Sequence, residues 1–304
     1  MSNSRRGLVD GIAAYLLWGI APMFWKLLRQ VSWVEILAHR VVWGVIAFAA
    51  IAWAAGVAPV VREAACDRRT LAAMALSGVM LVANWGTFIW AVASGHILDA
   101  SLGYFIIPLL SVGLGMVVLG ERLRRLQWLA IAAAAVGVAI QTWSAGGLPW
   151  ISLVVAASFG IYGLIRKVAR VDSLVGSTIE TALLLPIAAV YLAVLALRGG
   201  GELGHASTGT QLLLLSTGVI TAAPLLLFNS AARRLPLSTL GFLQYLGPTV
   251  QFLLAIGVYG ESFTRSQLIA FGLIWLGLAV FSLDMVRQAR VAGTAGTAIS
   301  RIAR

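Results

Sequence analysis

Hydrophobic residues run through this chain in long blocks rather than in alternation. Blocks at roughly 8–28, 33–55, 71–93, 98–119, 125–143, 149–166, 174–197, 210–232, 237–259 and 266–284 each approach the ~20 apolar residues that a helix needs to cross a bilayer core. They are too long for strands and show no period of two. In lipid the backbone must satisfy its own hydrogen bonds, so the blocks read as ten membrane-spanning helices. The joints are short and rich in turn residues, as at Ser94-Gly95, Ser144-Ala145-Gly146-Gly147 and Gly199-Gly200-Gly201. No soluble domain fits between spans. The segment after Asp284 is small, polar and basic, a composition that predicts a disordered tail.

The pattern repeats. Ser101-Leu102-Gly103-Tyr104 is echoed by Thr239-Leu240-Gly241-Phe242, and Gly120-Glu121 with Gln127 by Gly260-Glu261 with Gln267. Ala130 and Gly137 match Ala270 and Gly277. A period of about 140 residues is far longer than a solenoid unit and points to a duplicated transporter architecture. The chain therefore divides into a first five-span repeat at 1–145, a second at 146–286 and a basic cytoplasmic tail at 287–304. Five is odd, so the second copy enters the membrane inverted, with Glu121 and its echo Glu261 on opposite faces.

Composition agrees with a lipid environment. Of 304 residues 60% are hydrophobic and 11% charged, against about 25% charged in soluble proteins. The 32 glycines suit close helix packing in a bilayer. The single cysteine, Cys66, permits no intrachain disulfide, and no Cys/His cluster suggests a metal. The first span follows Arg5-Arg6 without a small-residue cleavage site and reads as retained. The net charge of +11 reports topology rather than a nucleic-acid partner. With the N-terminus in the cytoplasm, the inside segments collect nearly all the basic residues. Only Lys26, Arg29, Arg198 and Arg265 fall outside, and Arg40 lies within a span. Both termini are then cytoplasmic. Trp25, Trp33, Trp143 and Trp150 on one side and Trp128 on the other read as interface anchors.

Candidate chemistry comes from polar groups inside spans. Of the 11 acidic residues, most sit at loops or at the interfacial ends of spans, and Glu35 and Glu180 are the ones that read as placed within spans. An ionised group near the bilayer centre costs roughly 2.5–3.5 kcal/mol on insertion scales, so such residues face an interior or a wet cavity. Glu35, His39 and Arg40 share span 2; Glu180 lies in span 7, the equivalent helix of the other half. Glu35 and His39 are four apart and share a face. Arg40 points elsewhere and needs a partner from another helix. These residues read as an anion-binding or proton-sensitive site, with Glu35, His39 and Glu180 the candidates for proton coupling. The plainer alternative hydrates Glu35 and His39 near the outer interface and uses Arg40 to lock two helices. Asn84, Trp85, Tyr104, Asn229, Gln244 and Tyr245 line a polar path or bond helices to one another. Pro108 and Pro248, inside the paired spans 4 and 9, are gating hinges or static kinks. The Gly-Glu pairs read as helix-end contacts.

There is no P-loop, HExxH, GxSxG elbow or dense acidic cluster, so no enzyme signature and no cofactor is implied. Glu35-Ile36-Leu37-Ala38-His39-Arg40 with Trp43, Asn84-Trp85, and Ala100-Ser101-Leu102-Gly103-Tyr104-Phe105-Ile106 with Pro108 resemble the RarD family. So do Gly120-Glu121-Arg122-Leu123 with Gln127-Trp128, Tyr162-Gly163-Leu164-Ile165-Arg166-Lys167, and Gly241-Phe242-Leu243-Gln244-Tyr245 with Pro248-Thr249. The resemblance covers nearly all of the chain except the tail. The repeat alone marks the broader EamA-like branch of the drug/metabolite transporter superfamily. The resemblance implies ten helices, two inverted five-helix repeats and a bacterial inner-membrane permease; relatives move amino acids, other metabolites or drugs. Asp99 stands where the family more often has Glu. The expectation is an all-α, multi-pass membrane protein that moves a small solute by alternating access and is not an enzyme. A lipid-modifying intramembrane enzyme and a non-transporting scaffold are the alternatives.

Overall fold

The computed structural model describes residues 3–94, 96–144, 146, 150–258 and 264–302, all helices and joints, with no strand among them. The helices are α1 (Asn3–Leu27), α2 (Trp33–Ala54), α3 (Ala58–Cys66), α4 (Arg68–Ala93), α5 (Ile97–Leu119), α6 (Arg125–Ser144), α7 (Trp150–Val168), α8 (Ser173–Leu197), α9 (Thr208–Arg234), α10 (Leu237–Gln244), α11 (Leu246–Gly257) and α12 (Arg265–Ile302). Among the described residues, nine helices are long and apolar enough to cross a membrane. The protein is an all-α, multi-pass membrane protein.

Three features depart from the sequence pattern. The expected span at 237–259 is two short helices, α10 and α11, meeting at Tyr245. Pro248 has no N–H to donate to the Gln244 carbonyl. The chain tightens there, with the Tyr245 N–H donating to Phe242 O at 3.2 Å. The Tyr245 carbonyl then accepts both the N–H of Thr249 (3.1 Å) and its Oγ1 (2.7 Å). Pro108, by contrast, sits inside the unbroken α5. Second, the joint at 58–66 is a helix. Its Val61, Ala64 and Ala65 rest against a cluster of Met74, Val175 and Ile179, while none of its residues is fully buried. Third, the segment after Asp284 continues α12 as helix to Ile302 instead of disordered chain. Only its first part, Arg287-Gln288-Ala289-Arg290, is a run of good helix formers.

The echoed residues touch one another across the bundle. A Cβ built on Gly137 would stand 2.8 Å from the Ala270 carbonyl oxygen, and one on Gly277 would stand 2.7 Å from the Ala130 carbonyl oxygen. Both lie below any normal Cβ contact, so α6 and α12 approach backbone to backbone because both positions are glycine. Residue numbers rise along one helix as they fall along the other, so the two run antiparallel. Each helix also starts in the same way. Gln127 Oε1 accepts the Arg124 N–H at 3.0 Å, and its echo Gln267 accepts the Thr264 N–H at 2.8 Å. α5 and α10 are antiparallel too: Gly115 faces Leu237, and the Phe105 carbonyl accepts from Tyr245 Oη. Gly241 packs on the Pro108 carbonyl, where a Cβ would come within 2.8 Å, and Ser111 Oγ donates to Gln244 Oε1 at 3.2 Å.

The core between α1, α7 and α9 is aromatic. Tyr15, Trp18, Phe159, Tyr162 and Phe228 pack with ring centroids 5.2–6.1 Å apart, and such pairs are worth about 0.5–1.5 kcal/mol each beyond burial. One end of the bundle carries most of the arginines. Polar ties draw its helices together. The Glu121 carboxylate accepts the backbone N–H of Leu237 (2.6 Å) and Ser238 (2.9 Å) and the Ser238 hydroxyl (2.7 Å), capping α10. Arg124 Nε bonds Asp284 at 2.7 Å, Arg233 pairs with Asp172 at 3.1 Å and Arg234 with Asp10 at 3.6 Å. Gly260 and Glu261 lie outside the described residues.

Candidate functional site

Two buried polar centres occupy matching registers. Arg40 lies seven residues into α2 and Glu180 seven residues into α8, and these two helices pack together.

At the first centre, Arg40 is 8% exposed. Its Nε donates to Thr221 Oγ1 on α9 at 3.2 Å. The guanidinium carbon lies 4.0 Å from the Trp85 ring centroid and 4.7 Å from that of Trp25. No carboxylate lies within 4.0 Å among the described residues. Three helices besides α2 therefore hold the cation: α1 through Trp25, α4 through Trp85 and α9 through Thr221. Trp25 turns inward onto Arg40, whereas Trp143, Trp150 and Trp128 are 87%, 58% and 52% exposed, as anchors in a bilayer interface would be. One turn along α2, Gly44 is buried, yet a Cβ there would meet nothing within 4 Å. There is open space on the Arg40 face of the helix. Tyr104 on α5 is half-buried and packs edge-on to Phe88, 5.3 Å between centroids.

Glu35 and His39 are buried, at 4% and 1% exposure, but belong to a separate tie. Glu35 Oε1 accepts the Glu202 N–H at 2.6 Å, from the segment leading into α9. Trp43 Nε1 donates to His39 Nδ1 at 3.2 Å, which places the neutral ring's proton on Nε2. That nitrogen lies 3.7 Å from Glu35 Oε1 and has no hydrogen-bond partner among the described residues. The two residues are buried rather than hydrated, while the bond to Glu202 keeps Glu35 beside the joint at that end of the bundle.

At the second centre, Glu180 is completely buried. Ser77 Oγ on α4 donates to its Oε2, and Arg166 Nη1 on α7 lies 4.0 Å away. Arg166 is 1% exposed. The positive-inside tally had placed it on the cytoplasmic flank, but it reaches into the bundle instead. It donates to Met74 Sδ (2.8 Å), to the Ser173 carbonyl (3.0 Å) and to Ser177 Oγ (3.5 Å). Gly176 lets it pass, because a Cβ there would collide with the guanidinium. Asn229 closes the network, donating to Ser177 Oγ at 2.9 Å and pairing with Tyr162 Oη at 3.0 Å. Glu180 Oε1 and Arg166 Nε keep no partner among the described residues.

The other expected path residues are divided. Trp85 joins Arg40 directly. Asn84 donates to the Val155 carbonyl at 2.9 Å and ties α4 to α7. Gln244 bonds Ser111, and Tyr245 Oη reaches the Phe105 carbonyl at 3.4 Å; both knit α10 to α5. Asn229 belongs with Glu180. Thr221, Ser77, Tyr162, Ser177 and Arg166 were not anticipated as site residues. The one signal for Arg166 was its place one helical turn after Tyr162, which lets both face the same neighbour. A groove of about 730 Å³ between α5 and α6 is lined by Ile106, Ala135, Val138, Ala139, Thr142, Trp143 and Gly146. It is mostly apolar, includes neither charged centre in its lining and opens beside the exposed Trp143.

The chain matches the EamA-like transporter family twice, over residues 5–143 and 146–283. It is 48% identical over 297 residues to an uncharacterized transporter of Pseudomonas aeruginosa, covering 95% of this chain and 97% of that one. It is 45% identical over 288 residues to protein RarD of Salmonella typhi, covering 95% and 98%. This chain is a RarD-family EamA-like transporter. A crystal structure at 20% identity superposes with a TM-score of 0.70, covering 93% of this chain and 99% of that one, which shows the shared fold alone. The relatives' naming as transporters fits the expectation that an EamA-like chain is not an enzyme.

Proposed function

We propose that this protein is a secondary transporter that carries a small polar metabolite, amino acid or drug across a bacterial inner membrane by alternating access. In this reading the ten crossings form two inverted five-helix repeats, with α10 and α11 together making the ninth. The arginine-rich end and both termini face the cytoplasm. The observation that carries the reading is the reciprocal contact of echoed residues, Gly137 on Ala270 and Gly277 on Ala130, between antiparallel helices. Antiparallel equivalents are what an inverted duplication requires, and two inverted halves can exchange conformations to open either side in turn.

The solute sits between the halves against Arg40, Trp85 and Tyr104. Asn84, Gln244 and Tyr245 hold the surrounding helices in this state, and the break before Pro248 gives the ninth span a hinge that Pro108 does not give α5. Glu180 is the candidate for proton coupling: its free oxygen and its 4.0 Å separation from Arg166 leave it able to bind or release a proton as the helices move. The tie of Glu121 to Ser238 closes the cytoplasmic side.

The test is a lock. In a Cys66→Ser background, Glu121→Cys and Ser238→Cys stand where two side chains now bond, and because Cys is shorter than Glu a short bis-thiosulfonate reagent joins them through disulfides. Cross-linking the pair in proteoliposomes stops solute exchange, and reduction restores it. Unchanged exchange with the cross-link formed sinks alternating access through this closure. In the same vesicles an imposed pH gradient drives uptake by the wild type and not by Glu180→Gln; equal responses remove Glu180 from the coupling.

A further inference from the structure

We propose that the Arg40 centre is the binding site for a carboxylate, so that the transported solute carries one negatively charged carboxylate on a body that can lie against aromatic rings. The proposal rests on the transporter reading above and narrows its substrate to that class.

The argument starts from which parts of the guanidinium are already occupied. Indole rings lie 4.0 and 4.7 Å from its carbon, Trp85 on α4 and Trp25 on α1. Those contacts attract the cation but leave its charge unneutralised. The Nε–H is taken by Thr221. The edge that carries the two Nη groups has no hydrogen-bond partner among the described residues. Those nitrogens are also not sealed away, since among the described residues the atoms buried without partners are on other side chains. A guanidinium edge offers two parallel N–H donors, the geometry that a carboxylate fills with two short bonds. The residue is 92% buried by its 8% exposure, so those bonds form where water competes weakly.

The acids nearby do not supply the anion. Glu35 is taken by the Glu202 N–H and faces His39, and Glu180 stands against Arg166. A single uncompensated positive charge matches a monoanion better than a doubly charged phosphate. There is also room. Gly44, four residues after Arg40 and so on the same face, has open space where a side chain would be. Tyr104 and Phe88, packed edge-on at 5.3 Å, supply further ring surface on the neighbouring helices. Cationic solutes are disfavoured at this centre by direct repulsion from Arg40.

The test compares one body with several head groups. Purified protein in nanodiscs is titrated calorimetrically with phenylacetate, indole-3-acetate and pentanoate, with the matching amides and amines, and with phenyl phosphate. At least one carboxylate binds saturably, and its amide and amine bind about 10- to 100-fold more weakly, the range expected for losing hydrogen bonds to a buried charged group. Arg40→Gln abolishes that binding, and Arg40→Lys, which keeps the charge but not the fork, restores only part of it. If Arg40→Gln does not fold, the head-group series on the wild type decides alone. No carboxylate binding, amides equal to acids, or phenyl phosphate tighter than every carboxylate overturns the proposal. The two readings separate cleanly. A carboxylate that binds but is never exchanged across liposomes upholds the site and sinks the transporter. Exchange of neutral or cationic solutes without carboxylate binding does the reverse.

Discussion

Arg40 and Glu180 occupy matching places in the two halves of the chain, seven residues into α2 and α8, and the fold treats them in opposite ways. Glu180 is given an opposite charge, Arg166, and a surrounding net of Ser77, Ser177, Tyr162 and Asn229. Arg40 is given two indoles and one hydroxyl, and no acid among the described residues. A buried charge with its partner is part of the scaffold even if it also titrates. A buried charge without one is held ready for something that arrives. Under the proposed site, the same register serves structure in one half and recognition in the other, and the two should respond to mutation with opposite patterns.

The largest effect is expected in the paired centre. Arg166→Leu leaves Glu180 uncompensated in a low-dielectric interior. Breaking a buried pair from one side costs about 3–5 kcal/mol, whereas replacing both partners by apolar groups is often neutral. Arg166→Leu should therefore melt far below the wild type in detergent or nanodiscs, and Arg166→Leu with Glu180→Leu should regain most of the loss. Single and double variants of equal stability would show that the two charges are not coupled. Gly176→Ala perturbs the same centre more gently by pushing the Arg166 guanidinium out of its slot. Overpacking of this kind costs about 1–3 kcal/mol, and the loss should vanish when Arg166 is already Leu.

The unpaired centre should show almost no stability change and a complete functional one. Arg40→Met gives up cation–π contact worth up to about 2 kcal/mol and one hydrogen bond of about 1 kcal/mol. It also removes a membrane-buried charge that costs roughly 2.5–3.5 kcal/mol. The terms nearly cancel. The empty variant should melt close to the wild type, while solute exchange in liposomes is lost. A large drop in melting temperature would make Arg40 a helix lock after all, which is the plainer reading the sequence allowed.

The difference between the centres explains what could be read in advance. The apolar helices and the lipid environment were legible because hydrophobic block length is a local feature of the chain. The break at Tyr245 was only half legible: Pro248 announced it, but the identical-looking Pro108 sits in an unbroken helix, so the outcome depends on packing around each proline. Arg40 and Glu180 stood out as charges inside spans. Their partners did not, because contacts such as Thr221 with Arg40 or Ser77 with Glu180 join residues far apart in the chain. Arg166 was hidden for another reason. It sits in a cluster of basic residues at a span end, where a positive charge normally faces the cytoplasm, and only the three-dimensional packing shows it turned inward. The helical tail and α3 were missed because composition weighs polarity more than helix propensity.

The smallest effect offers the finest comparison. Gly44 beside Arg40 and Gly176 beside Arg166 are both buried helical glycines, yet a methyl group at Gly176 meets the guanidinium and one at Gly44 meets nothing within 4 Å. Gly44→Ala should therefore leave stability unchanged or raise it by as much as about 1 kcal/mol, since alanine is the better helix former. If the space beside Gly44 belongs to the solute, the same methyl should weaken binding of the carboxylate probe several-fold, so that stability and affinity move in opposite directions. A variant that gains stability and binds as well as the wild type would show that the space is a packing void away from the solute, and would confine the site to the Arg40 edge and the Trp85 and Tyr104 side.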